Sequence, residues 1–203
     1  IDGILKKNDD ARAAGLRIRA DMYTYTAGAT GLDAAMPPWV QEGGYEAWAG
    51  RLKDPEIRER VRKEMSTPTD AWENLYLHAG ADKVILSAFK SEALKPLTGK
   101  TLAEVAKMRG KSPEETAMDL VIEDGTRVGA IYFLMSEENV KLGLSQPWVN
   151  IGSDAEASAP EGPFLLSNPH PCAYGAFPRF LGPYVRGQKV TTLQERIRRL
   201  RRQ

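Results

Sequence analysis

Hydrophobic and polar residues alternate along this chain with two periods, and the changes from one to the other mark out its elements. Residues 8–15, NDDARAAG, are spaced as a helix that stops at Gly15, and the alternation from Leu16 to Tyr25 predicts a strand. Residues 30–44 hold Pro37, Pro38, Gly43 and Gly44 and predict a loop, with Leu32, Met36, Trp39 and Val40 apolar enough to pack it down as a rim. Residues 45–65 return to helical spacing, with Pro55 where a second helix would start. DKVILSAF, 82–89, predicts a strand. Thr101–Arg109 predicts a helix closed by Gly110, and SPEE opens another, with Ser112 as cap, Pro113 at the first position and Glu115 completing a capping box.

Beyond Gly125 the run RVGAIYFLMS, 127–136, is apolar without interruption, as in a strand covered on both faces. Ser136 caps a short predicted helix to Gln146 that carries Glu137 and Glu138 in its first turn, where the helix dipole favours them. Trp148, Val149 and Ile151 then predict a strand broken by Gly152 and Ser153, and Thr192 with Glu195 opens a basic terminal helix. A strand, a short helix and a strand at this spacing read as a βαβ unit, hence a parallel sheet. With a largely helical insertion ahead of it, the order suggests an α/β fold, part of a barrel or of a doubly wound sheet.

Composition narrows the function only by exclusion. The 203 residues can bury a core, and a formal net charge of +1 sets up no global field to draw in nucleic acid or anionic lipid. No apolar run approaches the ~20 residues of a membrane span. One cysteine, Cys172, rules out an internal disulfide and a Cys-rich zinc cluster. No phosphate-cradling or dinucleotide-binding glycine motif is present, and the acidic stretch with Glu156 and Glu161 lacks the spacing of a calcium loop. No secretory signal is visible, and the reading is a cytoplasmic protein.

Four residues draw attention. Asp154 stands where an apolar strand opens into a loop, either as a turn or cap aspartate or as a metal or proton-transfer group at a strand's carboxyl end. His78 precedes a predicted strand with no second ligand at a useful spacing, and reads as structural or surface. His170 lies in SNPHPCAYGAFPRFLG, expected to be a long loop stiffened by Pro169, Pro171 and Pro178. It is either a hydrogen-bonded brace or a pocket residue. Cys172 follows it by two positions, a spacing at which side chains rarely face each other, which argues against a Cys–His nucleophile.

Several stretches together carry more. ADMYTYTAGATGLDAAMPPWVQEGG, LTGKTLAEVAKMRGKSPEETAMDLVIEDG, VGAIYFLMSEENV, PWVNIGSDA and PHPCAYGAFPRFLGPYV resemble, in order, the D-aminoacylase (N-acyl-D-amino-acid deacylase) family of the amidohydrolase superfamily, over about residues 8–195. The resemblance implies a zinc-dependent hydrolase of N-acyl-D-amino acids on a TIM-type (β/α) barrel. Strands six to eight would fall at 16–25, 128–135 and 147–153, giving barrel parts at 1–35 and 127–203 around a mostly helical inserted α+β subdomain at 36–126. Asp154 then matches the aspartate that contacts metal and shuttles the proton, and His170 and Cys172 fall in the substrate-binding loop.

The departures from the family matter too. Its loop usually reads His-Pro-Arg, the arginine suited to a bidentate grip on a carboxylate, and here that position is Cys172. Its Tyr-Pro-Tyr becomes Tyr23-Thr24-Tyr25. The remaining metal ligands of the family would precede residue 1, so the expectation is a piece of a deacylase, inactive by itself, with an open barrel edge for a complementary chain or self-association. The alternative is a non-catalytic fragment that serves as a structural or binding module.

Overall fold

A computed structural model describes residues 1–155, 159–162, 169–195 and 197. It is α/β and divides into two compact units: Ala27–Leu134, and Ile1–Thr26 with Met135–Gln203. The division differs from the expected 36–126 insertion at both ends, and sheet pairing explains why.

In the Ala27–Leu134 unit, strands β2 (Gly28–Gly31), β3 (Val84–Ala88) and β4 (Gly129–Tyr132) form an antiparallel sheet in the order β2-β4-β3. The apolar run at 127–136 therefore does not continue a parallel barrel sheet. It is the central strand of this one, with Val128, Ala130 and Tyr132 buried and Phe133 exposed. A continuous apolar run says that a strand is covered but not which partners cover it. Its partner β2 was hidden because Gly-Ala-Thr-Gly has almost no hydrophobic alternation. Gly129 has to be glycine, since a Cβ there would stand 2.8 Å from Ser87 Oγ and 2.9 Å from Ala88 Cβ, at the β3–β4 irregularity.

Helices α2 (Pro38–Gln41), α3 (Tyr45–Arg51), α4 (Pro55–Met65), α5 (Leu75–Ala79), α6 (Leu102–Arg109) and α7 (Pro113–Asp124) belong to the same unit. Their side chains join the sheet in one core, where Leu32, Leu52, Met65, Leu86, Leu102, Met118 and Leu120 are fully buried. The rim expected at 30–44 is thus part of the core, packed through Leu32, Met36 and Val40. Local signals hold these helices where the sequence put them. Asp54 caps α4, accepting from the Glu56 amide at 2.8 Å. Ser112 caps α7, accepting from the Glu115 amide at 3.2 Å. The reciprocal capping box lies at Thr101 and Glu104 instead, and Gly110 ends α6 in the left-handed conformation.

The other unit begins with α1 (Asp2–Ala13) and pairs β1 (Ala20–Met22) with β5 (Val149–Ile151) in parallel, Ala20 opposite Val149 and Met22 opposite Ile151. The strand expected over 16–25 is only three residues long, and its neighbour is β5. Since β1 and β5 are adjacent, no seventh strand lies between a sixth and an eighth, and the expected numbering does not hold. Helix α8 (Glu137–Ser145), capped by Ser136, packs Val140 and Leu144 against Met22, Ile151, Phe180 and Tyr184. Gly143 lets it approach, because a Cβ there would meet Met22 Sδ at 2.9 Å.

The expected proline-braced loop is helical as well: α9 (Cys172–Arg179) runs straight into a π-helical segment, Phe180–Gly187. Pro171 sits at the α9 cap, where a missing amide hydrogen costs nothing, and Pro183 falls in the widened π turns. Of the basic terminal helix only its start is described, where Thr192 Oγ1 accepts from the Glu195 amide at 3.3 Å. Glu156 and most of Arg196–Arg202 lie outside the described residues.

Candidate active site

Two parallel strands bring their carboxyl ends to the same side, and everything that could do chemistry in this unit follows from that. After β1 the chain continues as Tyr23-Thr24-Tyr25, and after β5 as Gly152-Ser153-Asp154. The amide of Gly152 donates to the Met22 carbonyl at 3.1 Å, so the ladder runs up to the point where both segments emerge. Between them is a cavity of about 340 Å³. Asp21, Tyr23, Tyr25 and Asp154 give it polar walls, and Met22, Met135 and Val140 give it an apolar one. This combination of apolar surface with a few convergent polar groups is what a small-molecule site requires.

Asp154 is exposed and adopts φ +52°, the left-handed region that aspartate tolerates better than most residues. It lies three residues past the end of β5, at the strand mouth the sequence indicated. Its charge reaches its neighbours. Burial raises the pKa of the Tyr23 phenol, with Cys172 and Asp154 adding to the effect, so Tyr23 stays protonated and able to donate at neutral pH.

Extended geometry puts Tyr23 and Tyr25 on one face and Thr24 on the other. Thr24 is fully buried: its hydroxyl donates to the Ala176 carbonyl at 3.3 Å, and its own carbonyl accepts from Arg179 Nε at 2.7 Å and Tyr184 Oη at 3.3 Å. Helix α9 comes close because Gly175 has no Cβ where the Tyr25 hydroxyl lies.

His170 packs against both tyrosines, its ring centroid 5.6 Å from that of Tyr23 and 5.2 Å from that of Tyr25, edge-on to the latter. Its Nδ1 accepts from the Cys172 amide at 3.1 Å, which leaves the proton of the neutral ring on Nε2. His170 and Cys172 do meet, then, but through the backbone and not through sulfur. The Cys172 thiol is buried, and burial first and Asp154 second push its pKa up, the opposite of what a thiolate nucleophile needs. His78 stands on the exposed last turn of α5 in the other unit.

Sequence reading missed Tyr23 and Tyr25 as cavity residues, although a Tyr-x-Tyr leaving a strand is the available signal. Among the described residues, no group of three or more His, Cys, Asp or Glu side chains could hold a metal ion. Asp154 is a single donor of the kind zinc takes, and these residues do not by themselves make a closed site. No helix among the described residues is long and apolar enough to cross a membrane.

No family model matches the chain. The D-aminoacylase of Alcaligenes xylosoxydans xylosoxydans is 37% identical over 101 residues, which is 50% of this chain and 18% of that enzyme. The N-acyl-D-glutamate deacylase of the same organism is 31% identical over 102 residues, again 50% of this chain and 18% of the relative. Among solved structures, the N-acyl-D-glutamate deacylase of Bordetella bronchiseptica, complexed with zinc and a phosphonate mimic of the tetrahedral intermediate, aligns with 98% of this chain. The TM-score is 0.62 at 25% identity, over 30% of that protein. A D-aminoacylase crystal structure aligns with 93% of the chain at a TM-score of 0.55 and 27% identity, over 28% of its own length. The chain spans less than a third of each of these relatives. In sequence over half its length and in fold over nearly all of it, it is similar to the D-aminoacylases, the amidohydrolases that its five separated motifs resemble.

Proposed function

We propose that this chain forms one wall of the active site of an N-acyl-D-amino-acid deacylase, hydrolysing the amide to a carboxylate and a D-amino acid. One observation carries the reading: Asp154 and the Tyr23–Tyr25 segment converge on one cavity from the carboxyl ends of two parallel strands, in a chain related to deacylases. In α/β barrels that end of the strands is where catalysis takes place. β1 and β5 would be consecutive strands of the barrel, with Ala27–Leu134 inserted in the connection between them.

In this role Asp154 takes the proton of the attacking water and returns it to the nitrogen of the leaving amine, as a general base and then a general acid. Zinc, when bound, supplies an activated water of lowered pKa. Asp154 is this chain's one proposed contact to it, and the other donors would come from outside the described residues. The substrate carboxylate meets the neutral Tyr23 phenol on this wall, since the buried Cys172 thiol offers no guanidinium fork.

The reading is tested by binding. Isotope-labelled protein is titrated with N-acetyl-D-glutamate and with its L enantiomer, following backbone resonances. Perturbation centred on Tyr23, Tyr25 and Asp154 with the D enantiomer, and at least several-fold weaker with the L, is expected. Equal response to both, or perturbation confined to Ala27–Leu134, would overturn it.

A further inference from the structure

Arg179, the last residue of α9, does not line the cavity, yet it is bonded to the segment that does. Its Nε donates to the buried Thr24 carbonyl at 2.7 Å, and its guanidinium carbon lies 5.0 Å from the centroid of the Tyr25 ring and 5.7 Å from that of Tyr184. Tyr184 Oη is a second donor to the same carbonyl at 3.3 Å, and the Thr24 hydroxyl returns a bond to Ala176 of α9 at 3.3 Å. The peptide between the two cavity tyrosines is thus held by α9 and the π-helical segment. His170 in turn rests on both tyrosine rings.

We propose that Arg179 is a positioning residue: without touching ligand, it sets the placement of Tyr23 and Tyr25 at the cavity and, through their rings, of His170. The proposal rests on reading this cavity as the substrate site. Arginine suits the task because one planar group both donates along its edge and stacks on aromatic faces, which a lysine ammonium cannot do together. The contact from Arg179 Nη2 to Glu137, at 3.9 Å between partly exposed side chains, is a weaker candidate for its purpose.

The sequence has two histidines, and His78, exposed and in the other unit, is an internal reference. Proton spectra of the full chain, without ligand and at fixed pH, report the imidazole Cε1–H of each. In Arg179→Met the His170 resonance is expected to move toward its unstructured position, while His78 and the far-ultraviolet circular dichroism stay unchanged. Arg179→Lys should fall between the two, and Glu137→Gln should match the wild type. A folded Arg179→Met with an unmoved His170 resonance overturns the proposal, and so does a Glu137→Gln variant that reproduces the shift. If Arg179→Met does not fold, Tyr184→Phe removes the second donor on the same carbonyl, together with the hydroxyl's contact to Glu137, which the Glu137→Gln variant controls for. A smaller shift of His170 alone then supports the proposal, and none overturns it. No substrate enters this test, so its failure leaves the deacylase reading to its own titration, and a failed titration leaves this result standing.

Discussion

The two units of this chain solve different problems with similar residues. In Ala27–Leu134 three antiparallel strands and six α-helices close around one core, and one ionic cluster is largely buried beside it while the other ion pairs stay at the surface. Arg58 reaches Asp119 at 2.8 Å and Glu115 at 3.1 Å, joining α4 to α7. Burial pushes the Tyr76 phenol well above its usual pKa, and its bond to Glu114 adds to this. The other unit has, among its described residues, two strands of three residues in parallel, with a smaller core of Val140, Leu144, Ile151, Phe180, Tyr184 and Val185. It also holds a left-handed aspartate, a helix that widens into π turns, and the cavity. Irregular backbone is not confined to the site, since Val128 in the larger-cored unit also adopts φ +52° and β3 meets β4 with a register shift; what sets the site apart is that its irregular segments carry the polar groups of the cavity.

Excision tests that contrast most severely. Residues 27–134 alone should melt cooperatively, whereas 1–26 joined directly to 135–203 should show no cooperative transition by calorimetry. A two-stranded parallel sheet is seldom stable without further strands or covering helices. Cooperative melting of the joined piece would erase the difference between the units.

Next in size, Leu86→Ala, in the fully buried middle of β3, should cost about 2–5 kcal/mol in urea unfolding. The cavity lined by Tyr23 and Asp154 should keep its chemical shifts under native conditions.

Asp119→Asn should cost about 1.5–3 kcal/mol, the range for hydrogen bonds to a charged group. Burial pulls this carboxyl's pKa up, but bonds from Lys111 and Arg58 outweigh it and hold the pKa below the ordinary value. A depressed folded-state pKa gives stability that is complete above the unfolded value, near ~4, and lost as pH falls through the folded value. The variant should therefore flatten the acid limb of the stability curve, which urea midpoints between neutral and acid pH would show.

The smallest stability effect is expected at the site. Asn accepts the left-handed backbone as readily as Asp, so Asp154→Asn should shift unfolding by less than about 0.5 kcal/mol. A loss of several kcal/mol would make Asp154 a structural residue and count against its proposed role.

What could be read from the sequence follows the range of the interactions. Caps at Ser112 and Ser136, the stop at Gly110 and the helix start at Pro55 depend on neighbours within a turn, and all were legible. The position of Asp154 past a strand end was legible for the same reason. The partner of Gly129–Tyr132 was not, because pairing across the length of the insertion leaves no periodic trace in either strand. Helix α9 was obscured by its prolines: Pro171 stands at its cap, but Pro178 lies inside it, two residues before the widened π turns begin at Phe180. The part played by Tyr23 and Tyr25 depended on α9 seating Thr24, a contact that no local pattern encodes.

Where the chain leaves the smaller-cored unit and where it returns, Thr26 and Met135 are themselves hydrogen-bonded, amide to carbonyl, at 3.1 Å. To that unit the whole of residues 27–134 is a loop with a mouth one hydrogen bond wide. Closing such a loop costs only about 0.6 kcal/mol more for each doubling of its length, so extra residues at the mouth add little closure cost to the strands below as long as the packed unit of 27–134 is kept. The connection works as a port: a ligand-responsive or fluorescent domain with closely spaced termini could be spliced in between Thr26 and Ala27, with residues 27–134 retained, and the cavity a few residues away would be the natural place to read its effect.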